Sequence, residues 1–429
     1  MKDTVYFKDK RITVVGLARS GIVCAHLLHE LGAAVSVTDS RDAPATRAAR
    51  ERLSSRDIAV ELGGHTRGFI EGRDLVVVSP GVEDASPPVR WAEELGIAVV
   101  SEIEVAGMLC PAPVIAVTGS NGKTTVTTLI GRILQAGGKS AVVCGNIGNP
   151  FCGELRRIAP DDYVCLEVSS FQLERIRTFK PWISLILNVT PNHLDRYSGM
   201  AEYVQAKKRI FLNQGAGDYL ILNRDDPALM TMAKEAACTV RYFSSKEKDR
   251  NPNQAAVLEV ARIVGIPDER AVEVFAAFKG IEHRLEFVER VDGVTFINDS
   301  KATTADSALW ALKNIPGPIV LIAGGKHKGI DYGVVVPDAA AKVKRAVLIG
   351  EAKGLIAAAL RGRVETEEAA TLPDAVRTAF RHAVPGDYVL LSPMCSSFDM
   401  FSDYEERGRV FKDAVRELAA RKDTPDRRL

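Results

Sequence analysis

The sequence predicts an α/β protein of three successive domains, and three observations carry that prediction. Short apolar runs of strand length alternate with amphipathic helical stretches along nearly the whole chain, the pattern of parallel sheets covered by helices. Exits from those runs that are rich in Gly, Ser, Asn and Thr recur in three separate blocks. The 429 residues also exceed what one hydrophobic core organises and match three domains of roughly 150 residues.

Residues 11–105 form the first block, with apolar runs at Ile12–Val15, Ala34–Thr38, Leu75–Ser79 and Ala98–Ser101. The turn after the first run, GLARSG, puts Gly16 and Gly21 at the outer places of a dinucleotide fingerprint. Ala18 stands where a further glycine would let a pyrophosphate approach the backbone. Asp39 ends the second run, where an acidic residue meets a ribose hydroxyl. A degraded fingerprint is weak alone, so a doubly wound domain that binds nothing is the alternative.

The second block opens near Pro111–Pro113 and runs into VIAVTGSNGKTT, Val114–Thr125. Gly119 and Gly122 let the backbone turn with positive φ and approach an anion, so that N–H groups and a helix N-terminus point at phosphate oxygens. Lys123 supplies a mobile charge for the outer phosphates, and the Thr124 hydroxyl suits Mg²⁺. The strict G-x-x-x-x-G-K-[ST] pattern fails at Val117, yet G-x-x-G-K-T-T directly after an apolar strand is a demanding combination. An ATP site is therefore read here in preference to a glycine-rich turn capping an ordinary helix. Later runs at Ser140–Cys144, Tyr163–Val168 and Ile183–Val189 lead into GNIG, EVSSFQLE and NVTPNHLDRY, and a further run spans Asp218–Asn223. Ligands gather outside the carboxyl ends of such strands, so Asn146, Glu167, Asn188, His193 and Asp195 are expected to share a crevice with Lys123. Glu167 suits Mg²⁺, which takes one or two carboxylates beside phosphate oxygens and waters. Residues 244–254 read as a charged loop before a helix Ala255–Val264.

The third block begins at about residue 283 with VTFINDSKATT, VLIAGGKHKGIDY and YVLLSPMCSSFDMF, whose hydroxyls and lysines imply a second small-molecule pocket. The 56 basic and 55 acidic residues leave a net charge of +1, which gives no footprint for nucleic acid or an anionic membrane. Seven cysteines without a C-x-x-C pair fit buried, reduced thiols in a cytoplasmic protein. No apolar run approaches the ~18 residues of a membrane span.

TGSNGKTT, GNIG, LEVSSFQLE, NVTPNHLDRY, EHRLE, NDSKATT and SPMCSSFD, in that order, resemble the Mur ligase family, the ATP-dependent amide ligases of peptidoglycan precursor synthesis. The Rossmann-type first block, SPGV at Ser79–Val82, SSFQLE and NDSKATT are most similar to the branch that adds D-glutamate to UDP-N-acetylmuramoyl-L-alanine. The resemblance implies a UDP-substrate domain at 1–107, a central P-loop ATPase-like domain at 108–282 and an amino-acid-binding α/β domain at 283–429. It implies Arg19, Ser20, Asp39, Ser40, Arg41 and Asn146 for the UDP substrate, with Asn146 and His193 toward the reacting carboxylate. Gly119, Ser120, Asn121, Gly122, Lys123, Thr124 and Thr125 would take the ATP phosphates. Asn253, Arg284, Asp299 and Lys301 would grip the nucleotide elsewhere. Thr124, Glu167, His193 and Lys207 would hold Mg²⁺, and Lys123, His193, Lys207 and Glu167 would be catalytic. Thr303, Lys328, Ser397 and Phe398 match the D-glutamate pocket.

On spacing alone, Lys207 and Lys208 in AEYVQAKKRIF are solvated helix lysines; the resemblance implies instead that Lys207 is carbamylated. ATP, Mg²⁺, UDP-N-acetylmuramoyl-L-alanine and D-glutamate are the implied ligands, with a cytoplasmic monomer as the expected form. A sister ligase adding another amino acid is the nearest alternative. A P-loop regulator or NAD-dependent oxidoreductase would need no amino-acid pocket in the third block.

Overall fold

The computed structural model describes residues 1–54, 57–146, 148–191, 196–244, 246, 251–278 and 280–422. Its strands form three sheets, one per block. The first contains β1 (Arg11–Val15), β2 (Ala34–Asp39), β3 (Ala59–Leu62), β4 (Leu75–Val78) and β5 (Ala98–Ser101), in the parallel order β3-β2-β1-β4-β5. The order reverses at β1 and β4, which opens a crevice at their carboxyl ends, where Gly16 and Ser79 stand. The second contains β6 (Val114–Thr118), β7 (Ala141–Gly145), β8 (Tyr163–Glu167), β9 (Ile183–Ile186), β10 (Tyr219–Asn223) and β11 (Thr239–Phe243), in the parallel order β11-β10-β9-β6-β8-β7. β6 and β8 are buried along their lengths apart from Tyr163, as expected of central parallel strands rich in Val, Ile and Leu.

The chain falls into two compact units, Met1–Val189 with Gly199–Phe278, and Thr190–Ser198 with Lys279–Leu429. The first two sheets share the first unit because one apolar core, including Cys24, Leu28, Phe151, Leu155 and Phe179, is continuous between them. The connecting helix Glu102–Leu109 strengthens the join. The buried Glu104 carboxylate accepts the backbone N–H groups of Arg177 (2.8 Å), Thr178 (2.7 Å) and Phe179 (2.9 Å).

The second unit holds β12 (Glu286–Val291), β13 (Val294–Asn298), β14 (Ile319–Gly324), β15 (Val343–Ile349), β16 (Glu365–Glu368) and β17 (Tyr388–Leu391), in the order β12-β13-β17-β14-β15-β16. Only β12 runs antiparallel to its neighbour. All seven cysteines are free thiols, six of them buried. Among the described residues no helix is long and apolar enough to cross a membrane.

Two expectations shift in detail. The helix expected at Ala255 spans Pro252–Ile263, because Asn251 caps it by accepting from Gln254 N at 3.0 Å and Pro252 fits the first turn. β9, expected to run to Val189, ends at Ile186, before the polar exit that begins with Asn188.

Candidate active site

The phosphate-loop segment follows β6 and enters the helix Lys123–Ala136. Gly122 is the residue before that helix, with φ at 86°, a conformation that glycine adopts without a Cβ penalty. A Cβ there would stand 2.5 Å from Asn253 Oδ1, so Asn253 lies against the loop. The loop is pinned from β9's exit: Asn188 accepts from Asn121 N at 2.9 Å through its side chain and from Ser120 N at 3.1 Å through its carbonyl. Ser120 Oγ lies 3.1 Å from the Tyr203 hydroxyl.

Two lysines converge on one loop carbonyl. Lys123 Nζ donates to Gly119 O at 2.8 Å and to Ser120 O at 3.0 Å, while Lys207 Nζ donates to the same Gly119 O at 3.0 Å. Lys207 is the penultimate residue of the helix Met200–Lys208 and is 1% exposed, with its amine 4.5 Å from the Tyr203 ring centroid. Burial, and next the charge of Lys123, push the Lys207 amine well below the ordinary lysine range. Lys208 is instead paired with Glu235 near the surface.

Glu167 closes β8 and is buried. Its Oε1 accepts from Asn146 Nδ2 at 2.8 Å, whereas Oε2 is buried without a hydrogen-bond partner among the described residues. Thr118 Oγ1, at the end of β6, is in the same condition, and Thr124 is buried at the helix start. An unpaired buried carboxylate oxygen is costly, and a hard divalent cation is a suitable partner for it. These groups fit Mg²⁺. His193 and Asp195 lie outside the described residues.

In the first domain, Asp39 is buried and braces two loops: Oδ2 accepts from Leu17 N at 2.6 Å and Oδ1 from Arg41 N at 2.8 Å. Ser40 and Arg41 are exposed beside it. Arg19 and Ser20 begin the helix Arg19–Glu30, and Arg19 Nη2 donates to Gly148 O at 2.6 Å. The GLARSG loop is thereby joined to the GNIG loop, which carries Asn146.

In the second unit, Asp299 is buried; Oδ1 accepts from Leu285 N at 3.2 Å and Oδ2 from Ser392 Oγ at 3.0 Å. Burial raises its carboxyl to about 7 against the opposing charge of Arg284. Lys301 Nζ donates to the Tyr404 hydroxyl at 3.2 Å. Backbone bonds join the expected glutamate loops, from Met394 N to Ala302 O at 2.8 Å and from Lys326 N to Ser396 O at 2.9 Å. They pair the segments that carry Thr303, Lys328 and Ser397; Ser397 is buried, and the positive charge of Lys328 bears on the Cys395 thiol. Phe398 is 68% exposed. Sequence reading passed over Tyr203, Tyr404 and the wholly buried Arg407; only their tertiary contacts single them out.

Three family descriptions match the chain in order. They are the Mur ligase MurD-like N-terminal domain at residues 10–101, the Mur ligase middle domain at 117–287 and the Mur ligase glutamate ligase domain at 283–395. The UDP-N-acetylmuramoylalanine--D-glutamate ligase of Pelotomaculum thermopropionicum is 40% identical, covering 96% of this chain and 98% of that protein. The protein of the same name from Geotalea uraniireducens is 42% identical over 96% of this chain and 98% of its own. Among solved structures, the Thermotoga maritima MurF ligase in complex with ADP matches with a TM-score of 0.63 at 14% identity, covering 98% of this chain and 100% of that one. The UDP-N-acetylmuramate-alanine ligase MurC of the same organism matches with a TM-score of 0.61 at 18% identity, covering 95% and 99%. At those identities the solved structures speak to the fold.

Proposed function

The chain belongs to the Mur ligase family, and we propose that it joins D-glutamate to UDP-N-acetylmuramoyl-L-alanine with consumption of ATP, in peptidoglycan precursor synthesis. The observation that carries this reading is the convergence of Lys123 and Lys207 on Gly119 O, in a chain that follows D-glutamate ligases over nearly its whole length.

A carboxylate is a poor acyl donor, so the reaction needs a leaving group. The L-alanyl carboxylate attacks the γ-phosphorus of ATP, forming an acyl phosphate and ADP. The D-glutamate amine then attacks the acyl carbonyl, loses a proton and expels inorganic phosphate. The residues from Gly119 to Thr125 bind and orient the ATP phosphates through backbone N–H groups. Lys123 exchanges its loop carbonyls for phosphate oxygens and stabilises the charge in transfer. Asn253 takes the nucleotide beside Gly122; the family resemblance gives Arg284, Asp299 and Lys301 nucleotide contacts as well.

Thr124, Glu167, His193 and carbamylated Lys207 would hold Mg²⁺, which when bound offsets charge on the transferring phosphoryl group. Carbamylation needs the free amine: its nitrogen adds to CO₂ and releases one proton, leaving an anionic oxygen ligand. Burial favours that free amine at Lys207. Arg19, Ser20, Asp39, Ser40, Arg41 and Asn146 take the UDP substrate; Thr303, Lys328, Ser397 and Phe398 take D-glutamate. The enzyme works in the cytoplasm as a monomer.

Phosphate release from ATP with UDP-N-acetylmuramoyl-L-alanine and each amino acid in turn tests the reading. D-Glutamate should give the fastest turnover. Faster turnover with L-lysine, diaminopimelate or L-alanine would move the enzyme to another branch of the family.

A further inference from the structure

The helix Tyr404–Lys422 carries none of the motif residues, yet one side of its first turns organises three loops of the second unit. Tyr404, Arg407, Gly408 and Lys412 follow helical spacing along that side. Arg407 donates to Ser300 Oγ at 3.0 Å, to Ser300 O at 2.8 Å and to Cys395 O at 3.2 Å, tying the NDSKATT turn to the SPMCSSFD turn. At Gly408 a Cβ would stand 2.2 Å from His283 Nδ1, so the imidazole rests directly on the helix backbone. Lys412 pairs with Glu286 at 3.1 Å and also with Glu282.

The loop held this way is strained. His283 and Leu285, on either side of Arg284, have φ of 65° and 43°, a region non-glycine residues rarely enter. Asn298 Nδ2 lies 2.9 Å from His283 Nδ1, and Glu286 Oε2 accepts from His283 N at 2.8 Å. Tyr404 completes the arrangement. Its ring stands edge-on to His283, with centroids 6.2 Å apart at 82°. Its hydroxyl donates to Glu405 Oε1 at 3.2 Å, leaving a lone pair that accepts from Lys301 Nζ at 3.2 Å. The same amine lies 4.9 Å from the ring centroid.

We propose that Tyr404 is a positioning residue: its hydroxyl aims the Lys301 amine and its ring backs His283, which presents Arg284 from a strained loop. The inference rests on the reading of Lys301 and Arg284 as nucleotide contacts. A lysine ammonium on a flexible stem loses rotamer freedom when it meets a phosphate, and fixing it beforehand removes part of that cost. A carboxylate would fix it too, but would offset the charge the phosphate needs. A phenol oxygen holds the amine and leaves its charge intact.

Tyr404→Phe keeps the ring and removes the hydroxyl, so the fold is conserved and thermal unfolding checks this. The expected result is a KM for ATP raised roughly three- to tenfold, the net worth of one ordinary hydrogen bond, with kcat little changed and the KM for the UDP substrate unchanged. If the hydroxyl acts through Lys301, adding Tyr404→Phe to Lys301→Ala has no further effect. Lys301→Ala impaired while Tyr404→Phe matches the unsubstituted enzyme overturns the inference alone, as do effects that multiply in the double variant. Lys301→Ala with unchanged kinetics overturns the assignment of Lys301, and this inference with it.

Discussion

Replacing Lys207 with methionine should stabilise the protein while abolishing ligation. Lys207 is 1% exposed, and its burial beside Lys123 pushes the amine well below the ordinary lysine range. Unfolding returns it to water, where a lysine titrates near ~10.4. Between the folded value and that one, the unfolded chain carries a proton that the folded chain lacks. Stability therefore rises with pH across this window, by about 1.4 kcal/mol per pH unit, and is lost as pH falls toward the folded value. Methionine fills a similar volume without a proton to lose.

Urea unfolding of both proteins in CO₂-free, metal-free buffer should find the Lys207→Met variant more stable at pH 7. Toward pH 10 the difference should close with that slope. Lys208→Ala is the control, since the Lys208–Glu235 pair sits at the surface and should shift stability by less than about 1 kcal/mol. A stability difference independent of pH would show that the folded protein keeps Lys207 charged. A Lys207→Met enzyme with full activity would end the carbamate proposal.

Lys123→Ala should lower ATP-dependent phosphate release by on the order of 10³-fold or more while the UDP substrate still binds; near-normal release would remove the loop from the mechanism. Glu102 is buried, accepts from Cys152 N at 2.6 Å and has its carboxyl pushed up to about 7 by burial, so the stability it contributes is full below pH ~4.5 and lost as pH rises through about 7. Glu102→Gln should accordingly raise thermal stability at pH 8, by up to about 3 kcal/mol, and little at pH 5; an equal gain at both would refute the titration. Gly408→Ala should cost roughly 1–2 kcal/mol, because the displaced His283 ring outweighs the helix preference for alanine, and should raise the KM for ATP; an equally stable variant would show that the ring moves freely.

The parts of the fold legible in the sequence are those whose signal is local. β6 and β8 show as apolar runs, and the phosphate loop shows as glycines at fixed offsets from a lysine. Among the strands that escaped, short edge strands did so for a physical reason. β3 and β11 lie at sheet edges with much of their surface open, so AVEL and TVRYF show no buried run. The start of the helix at Pro252 was present in the sequence as Asn-Pro, a cap and a first-turn proline that the charged surroundings obscured. Tyr404 could not be found in this way, since the loops it serves lie more than a hundred residues away and leave no mark on its neighbours.

Lys123, Lys207 and Lys301 show most clearly what a residue type leaves undetermined. All three read as cations, and each meets a different environment. Lys123 rests on two backbone carbonyls, acceptors that a phosphate can replace, so its charge can move to the substrate. Lys207 shares one of those carbonyls but is sealed from water next to a cation, where the neutral amine is favoured and can react with CO₂. Lys301 faces a phenol oxygen and an aromatic ring, which steer a cation without neutralising it. Exchanging these surroundings would exchange the roles: a carboxylate beside Lys207 would favour its ammonium form and oppose carbamylation, although every motif in the sequence would read as before.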